Sequence, residues 1–132
     1  FINTSAKGGS GGAIYFNTAV NNLTLDGNII FYNNTATGSG GALFFNSAVT
    51  NFTINDVEFI KDSAGVYGGA IYIAGVITRM NITNVNFTDD HAGYGGALFT
   101  HNTIYNFTFI NVSASNCYAT TSGGVIYLGY SS

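Results

Sequence analysis

The stretch Gly68-Gly69-Ala70-Ile71-Tyr72-Ile73 decides the fold, because close copies of it recur along the chain. Each copy opens with a glycine pair, and the pairs occupy positions 11–12, 40–41, 68–69, 95–96 and 123–124. Successive pairs lie 29, 28, 27 and 28 residues apart, and each is followed by Ala or Val, an aliphatic residue and an aromatic residue. Self-similarity at a nearly fixed period of this length is the signature of a repeat architecture.

Two further apolar segments accompany the glycine pairs. One places two apolar residues two positions apart, as strands do, at 29–31, 57–59, 85–87 and 110–112. The other lies upstream, at 23–25, 52–54, 80–82 and 105–107. Three short strands in a repeat of about 28 residues, without helical periodicity, predict an all-β parallel β-helix, or β-solenoid, of about five coils.

Parallel crossovers are right-handed in nearly all proteins, so we expect a right-handed β-helix. It should form a single β-solenoid segment over residues 1–132, as part of a longer solenoid or filament. A β-propeller or a β-sandwich is the alternative architecture. Propeller blades are longer and four-stranded, which favours the solenoid.

The residues after each glycine pair alternate between two predicted faces. The aliphatic member should point inward, which gives a column of Ile14, Leu43, Ile71, Leu98 and Ile126. The aromatic member should point outward, which gives an aromatic ladder of Tyr15, Phe44, Tyr72, Phe99 and Tyr127. An exposed ladder would be a platform for sugar rings or a neighbouring filament, whereas a covering loop would make it a second small core. We expect partial covering, because the repeat is longer than a minimal coil.

Composition narrows the functional classes. Apolar residues make up 46% of the chain and charged residues 7%, which is the reverse of a disordered chain. Three basic residues are too few to follow a phosphate backbone, so nucleic acid is not an expected partner. Apolar runs of about four residues predict no membrane span. The single cysteine, Cys117, and two histidines supply neither an intrachain disulfide nor a zinc-type ligand set, so we expect no metal and no cofactor.

Asparagine glycosylation sequons exceed the roughly three that random order gives for this composition. The eight sequon asparagines are Asn3, Asn22, Asn33, Asn51, Asn81, Asn86, Asn106 and Asn111. Each should have a partner in another repeat, and Asn86 and Asn111 are expected to overlie each other on the outer surface, between residues that face inward. Covalent N-linked glycans are therefore expected, with outward asparagine hydrogen-bond ladders as the alternative.

Acidic residues offer the nearest approach to a catalytic site. Asp62 and Asp90 share a repeat position, with Asp89 and His91 beside the second, as a paired-carboxylate site would require. No Lys or Arg lies in the same columns to stabilise developing charge, so a solvated turn with carboxyl-to-backbone hydrogen bonds is the better interpretation. Calcium on Asp62, Asp89 and Asp90 lacks the nonapeptide pattern of calcium-binding β-rolls. We predict no catalytic residues, and a carbohydrate-active enzyme is the least favoured function.

The motifs carry a family resemblance. Gly-Gly-Ala-Ile at 11–14 and 68–71, and Gly-Gly-Ala-Leu at 40–43 and 95–98, accompany Phe-Tyr-Asn-Asn at 31–34. This combination resembles the paired GGAI and FxxN repeats of chlamydial polymorphic outer-membrane proteins and related adhesin-like β-helices. Segments 59–62 and 87–90 place Asp at the fourth FxxN position, and 112–115 departs further. The resemblance implies a β-helix and a cell-surface setting.

The resulting functional expectation is an extracellular or cell-surface structural or adhesive solenoid. We expect a glycosylated filament protomer that stacks end to end on itself, because Phe1 starts in strand phase and residues 130–132 follow a strand without a polar cap. A stalk fragment of a surface adhesin is the alternative. Surface carbohydrate or other cell-surface proteins are the further expected partners.

Overall fold

The computed structural model describes residues 1–129, and the expectation of an uncapped end at 130–132 falls outside them. The described residues form fourteen β-strands and no helix. The strands are β1 (Ser5–Ala6), β2 (Ile14–Phe16), β3 (Val20–Tyr32), β4 (Thr35–Ala36), β5 (Leu43–Phe45), β6 (Val49–Ile60), β7 (Ser63–Ala64), β8 (Ile71–Ile73), β9 (Met80–Thr88), β10 (His91–Tyr94), β11 (Leu98–Thr100), β12 (Phe107–Ser115), β13 (Tyr118–Ser122) and β14 (Ile126–Leu128).

The strands stack in three parallel sheets. The short-strand sheet has the order β1-β4-β7-β10-β13, the Gly-Gly sheet has the order β2-β5-β8-β11-β14, and the long sheet has the order β3-β6-β9-β12. Each strand pairs with the strand one repeat before or after it, so the predicted parallel β-solenoid is confirmed. It has about four turns, because the long sheet contains four strands and no long strand follows β14 among the described residues.

The recurring glycine pair has two separate physical causes, seen clearly at Gly68 and Gly69. Gly68 has a φ of 64°, in the left-handed region that side chains disfavour. A Cβ atom on Gly69 would lie 2.7 Å from both the backbone nitrogen and the backbone oxygen of His91 in the next coil. The first glycine therefore makes the turn, and the second lets adjacent coils approach.

The core lies between the three sheets. Leu43, Ile71 and Leu98 of the predicted inward column are fully buried, and Ile14 and Ile126 pack against the same core from the outermost coils. The phenylalanine rings of the long sheet also stack along the solenoid axis: Phe31–Phe59 at 4.9 Å and Phe59–Phe87 at 5.2 Å between ring centroids. Each fully buried side chain of this size contributes roughly 1.5–3 kcal/mol relative to exposure.

The alignment of the last repeat differs from the sequence-based prediction. Phe107 pairs with Met80, and Val112 pairs with Val85, so β12 is shifted by two residues from the expected register. Ile110, expected to face inward, lies on the outer surface and is 59% exposed. Asn111 has a left-handed φ of 54° and bonds to Asn84, which is also left-handed, so the alternation of faces is broken at this position. Ile110 therefore pairs with Thr83 and faces outward while Val112 pairs with the buried Val85, whereas unbroken alternation predicts that both face inward.

Candidate functional site

A column of buried polar side chains runs along the turn between the long sheet and the short-strand sheet. Asn34, Asp62 and Asp90 are each 0% exposed. Asp62 Oδ1 accepts hydrogen bonds from Asn34 N at 2.8 Å and Asn34 Nδ2 at 2.9 Å. Asp90 Oδ1 accepts one from Asp62 N at 2.8 Å. Each side chain thus satisfies a backbone N–H group of the preceding coil.

The predicted exposure of Asp62 and Asp90 to solvent is wrong, since both side chains are buried, whereas their predicted hydrogen bonds to backbone groups are confirmed. The backbone N–H groups of this turn point along the solenoid axis, where water has no access. The side chain at the fourth position of the FxxN motif therefore turns inward and accepts hydrogen bonds from them. The column continues at Cys117, whose Sγ lies 3.9 Å from Asp90 Oδ2. Cys117, and not Ser115, therefore occupies the fourth position in the last repeat, as the shifted register requires.

Burial controls the ionisation of this column. It raises the pKa of Asp62 to about 7 against the opposing effect of hydrogen bonds from Asn34. Burial, together with the neighbouring Asp62 carboxyl, raises the pKa of Asp90 to about 9. Burial also raises the pKa of Cys117 to about 11. Because neither carboxyl reaches solvent, the pair has no route to a dissolved substrate.

The calcium site considered at Asp62, Asp89 and Asp90, which the sequence disfavours, also lacks a matching geometry. Among residues 1–129, no group of three or more His, Cys, Asp or Glu side chains is arranged to hold a metal ion.

The aromatic ladder runs continuously along the outer face of the Gly-Gly sheet. Its ring centroids are separated by 4.8 Å (Tyr15–Phe44), 5.1 Å (Phe44–Tyr72), 5.8 Å (Tyr72–Phe99) and 4.5 Å (Phe99–Tyr127). The three middle rings are buried in a second small cluster, with Tyr67 and Tyr94 packed against it. The outer two rings, Tyr15 and Tyr127, are 46% and 42% exposed. The ladder is covered in its middle and open at both ends.

A shallow pocket lies at the open end nearest the last coil. It has a volume of about 170 Å³ and is lined by Phe99, His101, Tyr127 and Gly129. His101 stands 6.1 Å from the Phe99 ring between centroids. Nothing in the sequence pattern predicts this pocket, because His101 occurs at its repeat position only once.

The sequon asparagines lie at the surface. Six are exposed and two, Asn51 and Asn81, are half-buried. Three of them donate from Nδ2 to an amide oxygen in the preceding coil: Asn33 to Asn3 at 2.7 Å, Asn51 to Asn22 at 2.9 Å and Asn111 to Asn84 at 2.7 Å. Asparagine ladders, the alternative to glycans, are therefore part of this structure.

Two of the expected sequon partnerships are wrong, again because of the β12 shift. Asn111 donates its hydrogen bond to Asn84, and Ser113 is the residue that pairs with Asn86. Thr108, and not Asn106, pairs with Asn81. Ser113 Oγ donates to Asn86 Oδ1 at 2.5 Å, which orients the exposed Asn86 amide.

The outermost coils leave core positions uncovered. Phe107 stands directly over the fully buried Met80 yet is 45% exposed. At the opposite end Phe1 stacks on the buried Phe31 at 5.0 Å between ring centroids and is itself exposed. Both ends of the described solenoid thus present apolar side chains in line with the core. Helices long and apolar enough to cross a membrane are not found in residues 1–129.

Comparison with known proteins supports the repeat assignment. A family model for the Chlamydia polymorphic membrane protein (Chlamydia_PMP) repeat matches residues 28–46, which contain the motifs at 31–34 and 40–43. The resemblance to this repeat is confirmed. The match covers 19 of the 132 residues, and the repeat it identifies suggests a surface-associated or adhesin-like β-solenoid. Neither the curated proteins nor the solved structures include a match to the chain.

Proposed function

We propose that this chain is a structural and adhesive segment of an extracellular or cell-surface fibre, in which copies stack end to end. The observation that carries the proposal is the exposure of core-aligned apolar side chains at both ends of the solenoid. Phe107 at one end continues the column of the fully buried Met80 and Phe52. Phe1 at the other end continues the separate column of the fully buried Phe31 and Phe59. Covering them with another coil would bury apolar surface and pair the free edges of three sheets.

Each end also offers one ring of the aromatic ladder to a neighbouring copy. The aromatic ladder ends in an exposed tyrosine on both sides, Tyr15 and Tyr127. Stacking one copy on the next would let the ladder continue at its existing spacing of about 5 Å. A head-to-tail contact of this kind does not close on itself, so it generates an open filament.

The test is the length of the particles at increasing protein concentration, measured by negative-stain microscopy and sedimentation velocity. We expect fibres one solenoid wide that lengthen between about 1 and 100 μM, the range in which moderately tight contacts form. Phe107→Lys should stop elongation, because the charge faces the incoming coil. Ile110→Lys is the matched control on the same strand, and it should leave elongation intact because Ile110 faces outward.

A stalk fragment of a surface adhesin is the second candidate, favoured by the repeat match at residues 28–46. In that case further coils of a longer chain, and not other copies, would cover the ends. Isolated short rods at every concentration would contradict end-to-end assembly and support the stalk.

N-linked glycans form a second part of the proposal. Six sequon asparagines are exposed, and Asn86 has an oriented amide. A fibre with only 7% charged residues has little electrostatic protection against lateral association, which bulky hydrophilic glycans would supply. Surface carbohydrate or other cell-surface proteins are the contacts we propose for the exposed ladder ends, where rings with an apolar face are available.

A further inference from the structure

The buried column contains carboxyl groups at positions where one repeat has an amide. Asn34 uses both ends of its amide: Oδ1 accepts from Thr4 Oγ1 at 2.6 Å, and Nδ2 donates to Asp62 Oδ1 at 2.9 Å. An ionised carboxylate only accepts hydrogen bonds, whereas a protonated carboxyl also donates one. Asp62 Oδ2 is buried and has no hydrogen-bond partner among the described residues. At Asp62 the column therefore lacks the donor that the amide supplies at Asn34.

Little positive charge faces the two carboxyls. The N-terminal amino group of Phe1 acts on Asp62 from the first coil, and it favours the ionised form. The neighbouring carboxyls of Asp62 and Asp89 disfavour the ionised form of Asp90. The Cys117 thiol is the neighbour of Asp90 in the last coil. Adjacent coils of a parallel sheet lie only about 4.8 Å apart. Two ionised carboxylates at that separation in a buried column repel each other strongly.

We infer that Asp62 and Asp90 form a proton-operated lock between coils, which is tightest in acidic surroundings and loosens progressively as the pH rises to alkaline values. With protons bound, Asp62 supplies the missing donor and neither carboxyl carries a charge. With protons lost, the column contains two buried like charges and no added donor. The lock lies in the middle of the described solenoid, so its release weakens the stacking of β7 on β10 and of β6 on β9.

The direction of the pH dependence follows from proton uptake. Burial raises the pKa of Asp62 to about 7 and that of Asp90 to about 9, while the unfolded chain has the ordinary value of 3.8. Between those values the folded state holds protons that the unfolded state has released. The contribution of these two groups to stability is therefore greatest below about pH 4, is lost as the pH rises from there, and is fully lost once the pH has passed about 7 for Asp62 and about 9 for Asp90.

The test compares thermal unfolding midpoints at pH 5, 7 and 9. We expect the midpoint of the unaltered chain to fall by roughly 5 °C or more between pH 5 and pH 9. The double variant Asp62→Asn/Asp90→Asn should lose that dependence and unfold at a higher temperature than the unaltered chain at pH 9. Asp56→Asn is the matched control, since Asp56 is exposed and shares a left-handed turn position with Asn28 and Asn84. It should keep the pH dependence.

A second measurement needs no variant. Carbon-13 NMR of the unaltered chain follows each carboxyl through its titration, and two of the six acidic side chains should titrate above pH 6. A midpoint that does not fall between pH 5 and pH 9, a double variant that keeps the dependence, or titration of all six near pH 4 would each overturn the inference.

Discussion

Adjacent coils can stack at residue 69 because this residue is a glycine and has no Cβ atom. A Cβ added to Gly69 would contact the carbonyl oxygen of Gly96 and lie 2.7 Å from backbone atoms of His91. These neighbours are backbone atoms held in the hydrogen-bond pattern of the next coil, so they cannot move aside as a flexible side chain would.

We predict that Gly69→Val destabilises the solenoid by about 3 kcal/mol or more, at the upper end of the cost of overpacking. Urea unfolding followed by circular dichroism measures the change. Gly9→Val is the matched control, because a Cβ at Gly9 meets nothing within 4 Å and the residue lacks a left-handed φ. Equal stability of the Gly69 variant and the unaltered chain would remove the proposed reason for the repeated glycine pair.

The burial of Asp62 could not be predicted from the sequence, whereas the role of the glycine pairs could. The recurrence of glycine pairs was enough to predict a turn that excludes side chains, because glycine has few other reasons to recur. An aspartate after an apolar strand usually ends in solvent, and only its alignment with Asn34 indicates otherwise. Whether a polar side chain turns inward depends on unpaired N–H groups in the neighbouring coil, which no local pattern reveals.

At the scale of the strand, the sequence predicts the inward-facing residues of the Gly-Gly sheet correctly but not those of β12. The sequence assigned both Ile71 and Ile110 to inward positions. Ile71 is fully buried, whereas Ile110 is on the outer surface. Strands β3, β6 and β9 were aligned correctly, since their aliphatic and phenylalanine positions recur every 28 residues. The last repeat lacks the phenylalanine, with Ala114 beside Phe87, and so the sequence offered no fixed point for its register.

We predict that Ile71→Asp costs several kcal/mol, because an unpaired carboxylate would be buried between β5 and β11. Ile110→Asp should change the free energy of unfolding by no more than about 0.5 kcal/mol, as surface substitutions usually do. Chemical denaturation of the two variants makes the comparison. Similar losses in both would contradict the outward position of Ile110.

For the whole molecule, the period of the sequence predicted the architecture, the three-sheet arrangement and the parallel pairing. The period did not predict what covers the two outermost coils, because only neighbouring coils or other copies can supply the covering surface. The surface of the proposed fibre would depend in turn on whether the exposed sequons are occupied.

We predict that material from the native source carries glycans on several sequon asparagines. Intact mass spectrometry should show a heterogeneous mass above the 13.8 kDa of the bare chain. Treatment with an N-glycosidase should remove the excess, and peptide mapping should place it first at Asn86, which is exposed and oriented by Ser113. A single species at the bare mass would leave the sequon asparagines as turn and ladder residues only.

The pairing of every strand with another about 28 residues away has a mechanical consequence. Tension applied along the axis opens the outermost coil first, since that coil is held by one neighbour and interior coils by two. Each coil that peels away releases about 28 residues of slack, which is on the order of 90 Å of extended chain. Release lowers the tension before the next coil is loaded. A fibre built from such coils would lengthen in discrete steps under shear at a cell surface, and would rewind one coil at a time on the template that remains.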